Sequence, residues 1–147
     1  MEMALAEARA AAARGEVPVG AVVTGPDGSV LGRAGNEVGA RRNAAAHAEL
    51  LALRQAARVR QAPRLPDCTL FVTLEPCPMC AHAASLFRVG RLVFGAYDPK
   101  GGGVEHGARV FAAASCHHRP EVVGGVRERE AAALLRAFFA ERRATGA

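Results

Sequence analysis

Cys68-Thr69-Leu70-Phe71-Val72-Thr73-Leu74-Glu75-Pro76-Cys77-Pro78-Met79-Cys80-Ala81-His82-Ala83-Ala84-Ser85-Leu86-Phe87 is the stretch that decides the fold. Residues 68–74 are apolar and β-branched, which predicts a strand. Pro78 then suits the first turn of a helix over 78–87. Residues 91–96 read as another buried strand. Outward from this centre, 1–14 have helical spacing and end at Gly15, and 17–24 are a strand. Pro26-Asp27-Gly28 is a turn that returns the chain into a strand at 29–34, making a hairpin. Residues 46–58 are a helix, 63–67 a loop and 99–107 a glycine-rich loop. Residues 110–120 carry no clear period. Residues 121–126 suit a short strand, and 128–143 a last helix with Leu134, Leu135, Phe138 and Phe139 on its apolar side. Strands alternating with helices imply an α/β layer fold with about five strands. With no repeat and no linker, 1–147 is expected to be one domain.

At 147 residues, half of them hydrophobic, the chain can bury a core without disulfides. No apolar run is long enough to span a membrane. The first thirteen residues carry Glu2, Glu7 and Arg9, which does not suit the uncharged core of a signal peptide. The expected address is therefore cytoplasmic. The formal charge of +5 is compatible with a phosphate-rich partner. Nearly all of the positive charge is arginine, and Lys100 is the sole lysine.

The four cysteines include a close pair, Cys77 and Cys80, which in a cytosolic setting reads as metal or redox chemistry. Upstream, His47-Ala48-Glu49 opens another predicted helix. His-x-Glu followed by Pro-Cys-x-x-Cys is the signature spacing of zinc-dependent nucleobase deaminases. One imidazole and two thiolates form a three-ligand zinc site with a fourth position open to water. A helix N-terminus favours the thiolate form that a ligand cysteine needs. Glu49, two residues beyond His47, is placed to shuttle protons. The competing reading is a structural zinc knot or a redox pair. A structural zinc needs a fourth protein ligand. His82 would point away and Cys68 lies far from the pair, but spacing leaves Cys116, His106, His117 and His118 open.

The chain resembles bacterial tRNA-specific adenosine deaminases of the cytidine-deaminase-like superfamily. The likeness runs through residues 16–22, Gly35-Asn36, Ala46-His47-Ala48-Glu49, 70–80, 91–96, Asp98-Pro99-Lys100-Gly101-Gly102, 132–135 and Phe138-Phe139. It implies a three-layer α/β/α fold with a mixed central sheet, a homodimer, and conversion of adenosine to inosine at the wobble position of a tRNA anticodon stem-loop. By position, Asn36 would read the base through its amide, and Val17, Ala48, Leu74 and Phe139 would line or close the base pocket. Lys100, Arg41, Arg42, Arg119, Arg142 and Arg143 are candidate contacts to RNA phosphates. The chain departs from the family pattern at Asn43-Ala44-Ala45, His82, Glu105-His106 and Ala131, which bears on substrate placement and the dimer surface. Two rivals stand beside this reading. One is a deaminase of a free base or nucleoside such as cytosine, cytidine or guanine. The other is an RNA-docking module without catalysis, against which Glu49 speaks.

Overall fold

A computed structural model describes residues 1–146. Helix α1 (Glu2–Ala13) leads into strand β1 (Gly20–Thr24), which turns back as β2 (Val30–Gly35). A single-turn helix α2 (Val38–Arg41) precedes α3 (Ala48–Arg60), followed by β3 (Thr69–Leu74), α4 (Pro78–Leu86) and β4 (Arg91–Ala96). A 3-10 turn at Val110–Ala112, β5 (Glu121–Val123) and α5 (Glu128–Thr145) complete the order. The five strands form one mixed sheet in the order β2-β1-β3-β4-β5. β1 is antiparallel to β2 and β3, while β3, β4 and β5 run parallel. Helices α1 and α5 pack on one face and α3 and α4 on the other, giving the expected three layers.

The main core joins Ala21, Val23, Leu70, Val72, Leu92 and Phe94 of the sheet to Ala48, Ala52, Leu53, Ala81 and Ala84 of α3 and α4. Alanine-rich helices can approach the sheet closely, and two strand glycines mark where they do. A Cβ on Gly20 would stand 2.0 Å from the Ala4 carbonyl of α1, and one on Gly32 would stand 2.3 Å from the Ala52 carbonyl of α3. Any side chain there would push a helix off the sheet.

The predicted elements are found with shifted ends. β1 begins at Gly20 rather than residue 17, because residues 17–19 make a tight turn in which the Val19 N–H donates to the Val17 carbonyl at 2.8 Å. α3 begins after residues 46–47 and runs to Arg60, where Gln61 stops it in the left-handed conformation. α2 is too short to leave a periodic signal, so the sequence pattern misses it.

Candidate active site

Two helices deliver the metal donors at their first residues. His47 is the N-cap of α3, with extended backbone at φ −79° and ψ 147°. Cys77 is the N-cap of α4, also extended at φ −66° and ψ 169°, and Pro78 fills the first helical position. Cys80 follows one turn on, fully buried. The Nδ1 of His47 lies 3.6 Å from the Sγ of Cys77 and 3.6 Å from the Sγ of Cys80. Around one tetrahedral zinc, with Zn–N of about 2.0–2.1 Å and Zn–S of about 2.3 Å, a nitrogen and a sulfur stand about 3.6 Å apart. The donor set therefore has the separation that zinc requires. This is the only such group among the described residues.

None of the fourth-ligand candidates joins it. His106 Nδ1 is bonded to Glu75, and His118 Nε2 to the Val89 carbonyl. Cys116 pairs with Ser85 Oγ at 3.5 Å, and Cys68 neighbours Asp67. His82 and His117 are likewise outside the group. His47 and Cys77 border a cavity of about 510 Å³ that Asn36, Glu49, Leu74 and Glu75 also line, among others.

The three donors perturb one another strongly because they lie within hydrogen-bond reach. Cys80 donates to Cys77 and, with His47 nearby, brings the Cys77 thiol down to about 4 against the effect of burial. Cys80 is correspondingly pushed up, first by that bond and then by burial. His47 is raised by its bond to Cys77. Burial pushes the Glu49 carboxyl up to about 7, with His47 opposing. Although His47 and Glu49 are two residues apart, both face the cavity, because His47 lies before the helix proper and Glu49 in its first turn.

Asn36 follows β2 and is buried beside this floor. Its Oδ1 accepts from the Ala48 N–H at 2.8 Å, so it serves the free start of α3. Asn36 also lines the cavity. Ala48 is wholly buried and reaches the site through that backbone bond, not through a cavity-facing methyl group. Val17 and Leu74 line the cavity and also an adjoining hollow of about 450 Å³. Phe139 lies in the hollow with Tyr97, Lys100 and Leu135, and not in the main cavity.

Two buried carboxylates hold the cavity's edges, and neither was singled out by the sequence reading. Glu16 accepts from the Gly39 N–H at 3.1 Å and the Ala40 N–H at 2.9 Å. Glu75 accepts from the N–H groups of Asp98, Val104, Glu105 and His106. Both carboxyls are held below the usual range. For Glu16 the Ala40 N–H is the largest cause. For Glu75 burial is the largest effect and pushes upward, but the loop's hydrogen bonds outweigh it. An acid that interrupts an apolar strand–helix junction, as Glu75 does, is the signal that could have marked it.

The candidate phosphate contacts are scattered, and several have partners of their own. Arg41 pairs with Glu37. Arg119 bonds the carbonyls of Phe111 and Ala113. Arg142 bonds the Gly15 carbonyl at 2.5 Å and covers the Phe138 ring at 4.7 Å. Lys100, Arg42 and Arg143 are exposed, with Lys100 on the hollow.

Comparisons with known proteins agree with this geometry. Residues 1–96 match the cytidine and deoxycytidylate deaminase zinc-binding region. The tRNA-specific adenosine deaminase of Agrobacterium fabrum is 50% identical over 143 residues, which is 97% of this chain and 93% of that protein. A solved structure from a study of A-to-I editing by tRNA:A34 deaminases at the wobble position of transfer RNA superposes with a TM-score of 0.89 at 50% identity. It covers 92% of this chain and 97% of that one. A guanine deaminase from Nitrosomonas europaea is more distant, at 27% identity and a TM-score of 0.80 over 93% of this chain and 81% of that one.

Proposed function

This chain belongs to the cytidine and deoxycytidylate deaminase zinc-binding family, and from that premise we propose that it hydrolyses adenosine to inosine at the wobble position of tRNA. The observation that carries the reading is the zinc-spaced trio of His47, Cys77 and Cys80 with Glu49 beside it, in a chain half identical to a tRNA-specific adenosine deaminase across its length. The free-base alternative has the same chemistry. The guanine deaminase likeness is weaker in both identity and superposition than the likeness to the tRNA:A34 deaminase structure.

His47, Cys77 and Cys80 hold the metal, one ion per chain. When bound, zinc supplies the Lewis acidity that makes a water nucleophilic at neutral pH. Glu49 takes one proton from the attacking water and passes it to the ring nitrogen, then moves the second from the newly formed hydroxyl to the departing amino group, so that adenosine and water become inosine and ammonia. Asn36, held by Ala48, offers its amide N–H to the base, while Val17 and Leu74 pack against it. Phe139 closes the adjoining hollow. Lys100, Arg42 and Arg143, which have no ion pair among the described residues, meet the phosphates, and Arg41, Arg119 and Arg142 join them only by giving up partners. The anticodon stem-loop is the substrate, residues 1–147 act as one deaminase domain, and the working form is a cytoplasmic homodimer. Met79 and Leu86, exposed on α4, give such a dimer an apolar surface. Among the described residues no helix is long and apolar enough to cross a membrane.

Ammonia release tests the choice of substrate. An anticodon stem-loop should be turned over far faster than free adenosine, cytidine or guanine. Equal or faster turnover of a free base would replace this reading with the metabolite one.

A further inference from the structure

Glu75 is 1% exposed and takes no part in the chemistry above. Its Oε2 accepts from the backbone N–H groups of Val104 at 3.2 Å, Glu105 at 2.9 Å and His106 at 3.1 Å. Its Oε1 has two partners, the Asp98 N–H at 3.0 Å and the His106 ring at 2.8 Å. An ionised carboxylate can only accept, so the imidazole presents Nδ1–H to it. All five donors belong to one loop, residues 98–106. The loop wraps the carboxylate so closely that a Cβ on Gly102 would stand 2.5 Å from Oε2.

The outer surface of the same loop forms the edge of the site. Asp98 and Gly101 face the base cavity, and Lys100 faces the hollow beside it. Among the five donors His106 is the only side chain. Its ring also meets Tyr97 edge-on at 6.0 Å, so it joins the buried carboxylate to the wall of the hollow. Without that ring, Oε1 keeps Asp98 as its one protein partner, and the slack appears at the residue that borders the reacting base.

We infer that His106, acting through Glu75, is a positioning residue for the RNA strand that flanks the reacting base: it locks the Asp98–Lys100 edge in the shape that strand binds. The inference rests on the RNA reading given above. It separates two groups of residues, those that perform the reaction and those that seat the substrate, and it puts His106 in the second.

The test uses the full-length zinc-loaded protein with His106→Ala and His106→Asn, since the Asn amide nitrogen stands as far from Cβ as Nδ1 does. Hydrogen exchange of the loop, zinc content and steady-state kinetics on an anticodon stem-loop are measured together. In His106→Ala, the loop amides should exchange faster and KM should rise about three- to tenfold, as expected when the net value of one hydrogen bond is transmitted to binding. The kcat and zinc content should stay at parent values, and His106→Asn should restore both exchange and KM. Parent-like loop exchange in His106→Ala would overturn the inference. So would faster exchange with unchanged KM, a loss confined to kcat, or an Asn variant no better than Ala. A parent with no turnover of the stem-loop is a different failure, which sinks the RNA reading and this inference with it.

Discussion

The floor of the cavity and its rim are held by different physics. The floor is His47, Glu49, Cys77 and Cys80, set at the first turns of two helices whose next residues are wholly buried, among them Ala48, Ala52, Ala81 and Ala84. Packing fixes the helices, and the helices fix the donors. The rim is made of two segments, 37–45, which carries α2, and the loop 98–106, each tied by backbone N–H groups to one buried carboxylate, Glu16 or Glu75. A site can thus keep a rigid reaction centre while its substrate-facing edge rests on a few hydrogen bonds.

The largest expected effect breaks the floor. Cys80→Ala leaves the metal two protein ligands, so zinc content after dialysis should fall from one per chain to near zero, and thermal stability should fall with it, because metal binding and folding are coupled. Retention of a full zinc would show that the trio is not the metal site. Next is Glu49→Gln, which should keep zinc and fold while turnover drops about 10²–10⁴-fold, toward the upper end because one carboxylate serves several proton transfers. Near-normal kcat with normal zinc would remove Glu49 from the proton path.

Asn36 stands where floor meets rim, and the structure supplies a substitution that, unlike alanine, spares its bond to α3. Asn36→Asp keeps an oxygen for the Ala48 N–H and exchanges the amide donor for a carboxylate oxygen, which also brings a negative charge to the cavity that Glu49 lines. A lost hydrogen bond of this kind is worth about 1–3 kcal/mol, or roughly ten- to a hundredfold in kcat/KM. Zinc content should not change. Parent-like kinetics would reduce Asn36 to a cap for α3.

The rim should show the smallest effects, in salt dependence. If Lys100 and Arg143 meet phosphates, log kcat/KM on the stem-loop should fall with log salt by about 0.7 per contact. Lys100→Ala with Arg143→Ala should flatten that slope and leave free-nucleoside turnover untouched. An unchanged slope would move the phosphate contacts elsewhere.

The same division explains what could be read before any coordinates. The floor was legible because its geometry is local. Cys77 and Cys80 share one helical turn, Pro78 marks where that turn begins, and His47-Ala48-Glu49 does the same for α3. The strands were legible from β-branched runs, and the three layers from the resemblance. The rim was not legible, because its bonds join residues far apart in sequence. Glu16 meets Gly39, and Glu75 meets residues 98–106. Neither carboxylate shows a periodic or spaced partner. Phe139 sits on the apolar side of α5 as read, yet it faces the hollow and stays 43% exposed, since its placement depends on how α5 meets the 98–101 loop. Charge told still less: Arg119 and Arg142 look free in sequence and are engaged with backbone carbonyls in the fold.

The most direct test of the account is to incubate the zinc-loaded protein with an anticodon stem-loop that carries adenosine at the wobble position and at other sites, then map inosine by nuclease digestion and mass spectrometry. The account predicts inosine at the wobble position, none elsewhere, and none with Glu49→Gln. No inosine in the RNA, alongside ready turnover of free cytidine or guanine, would contradict it.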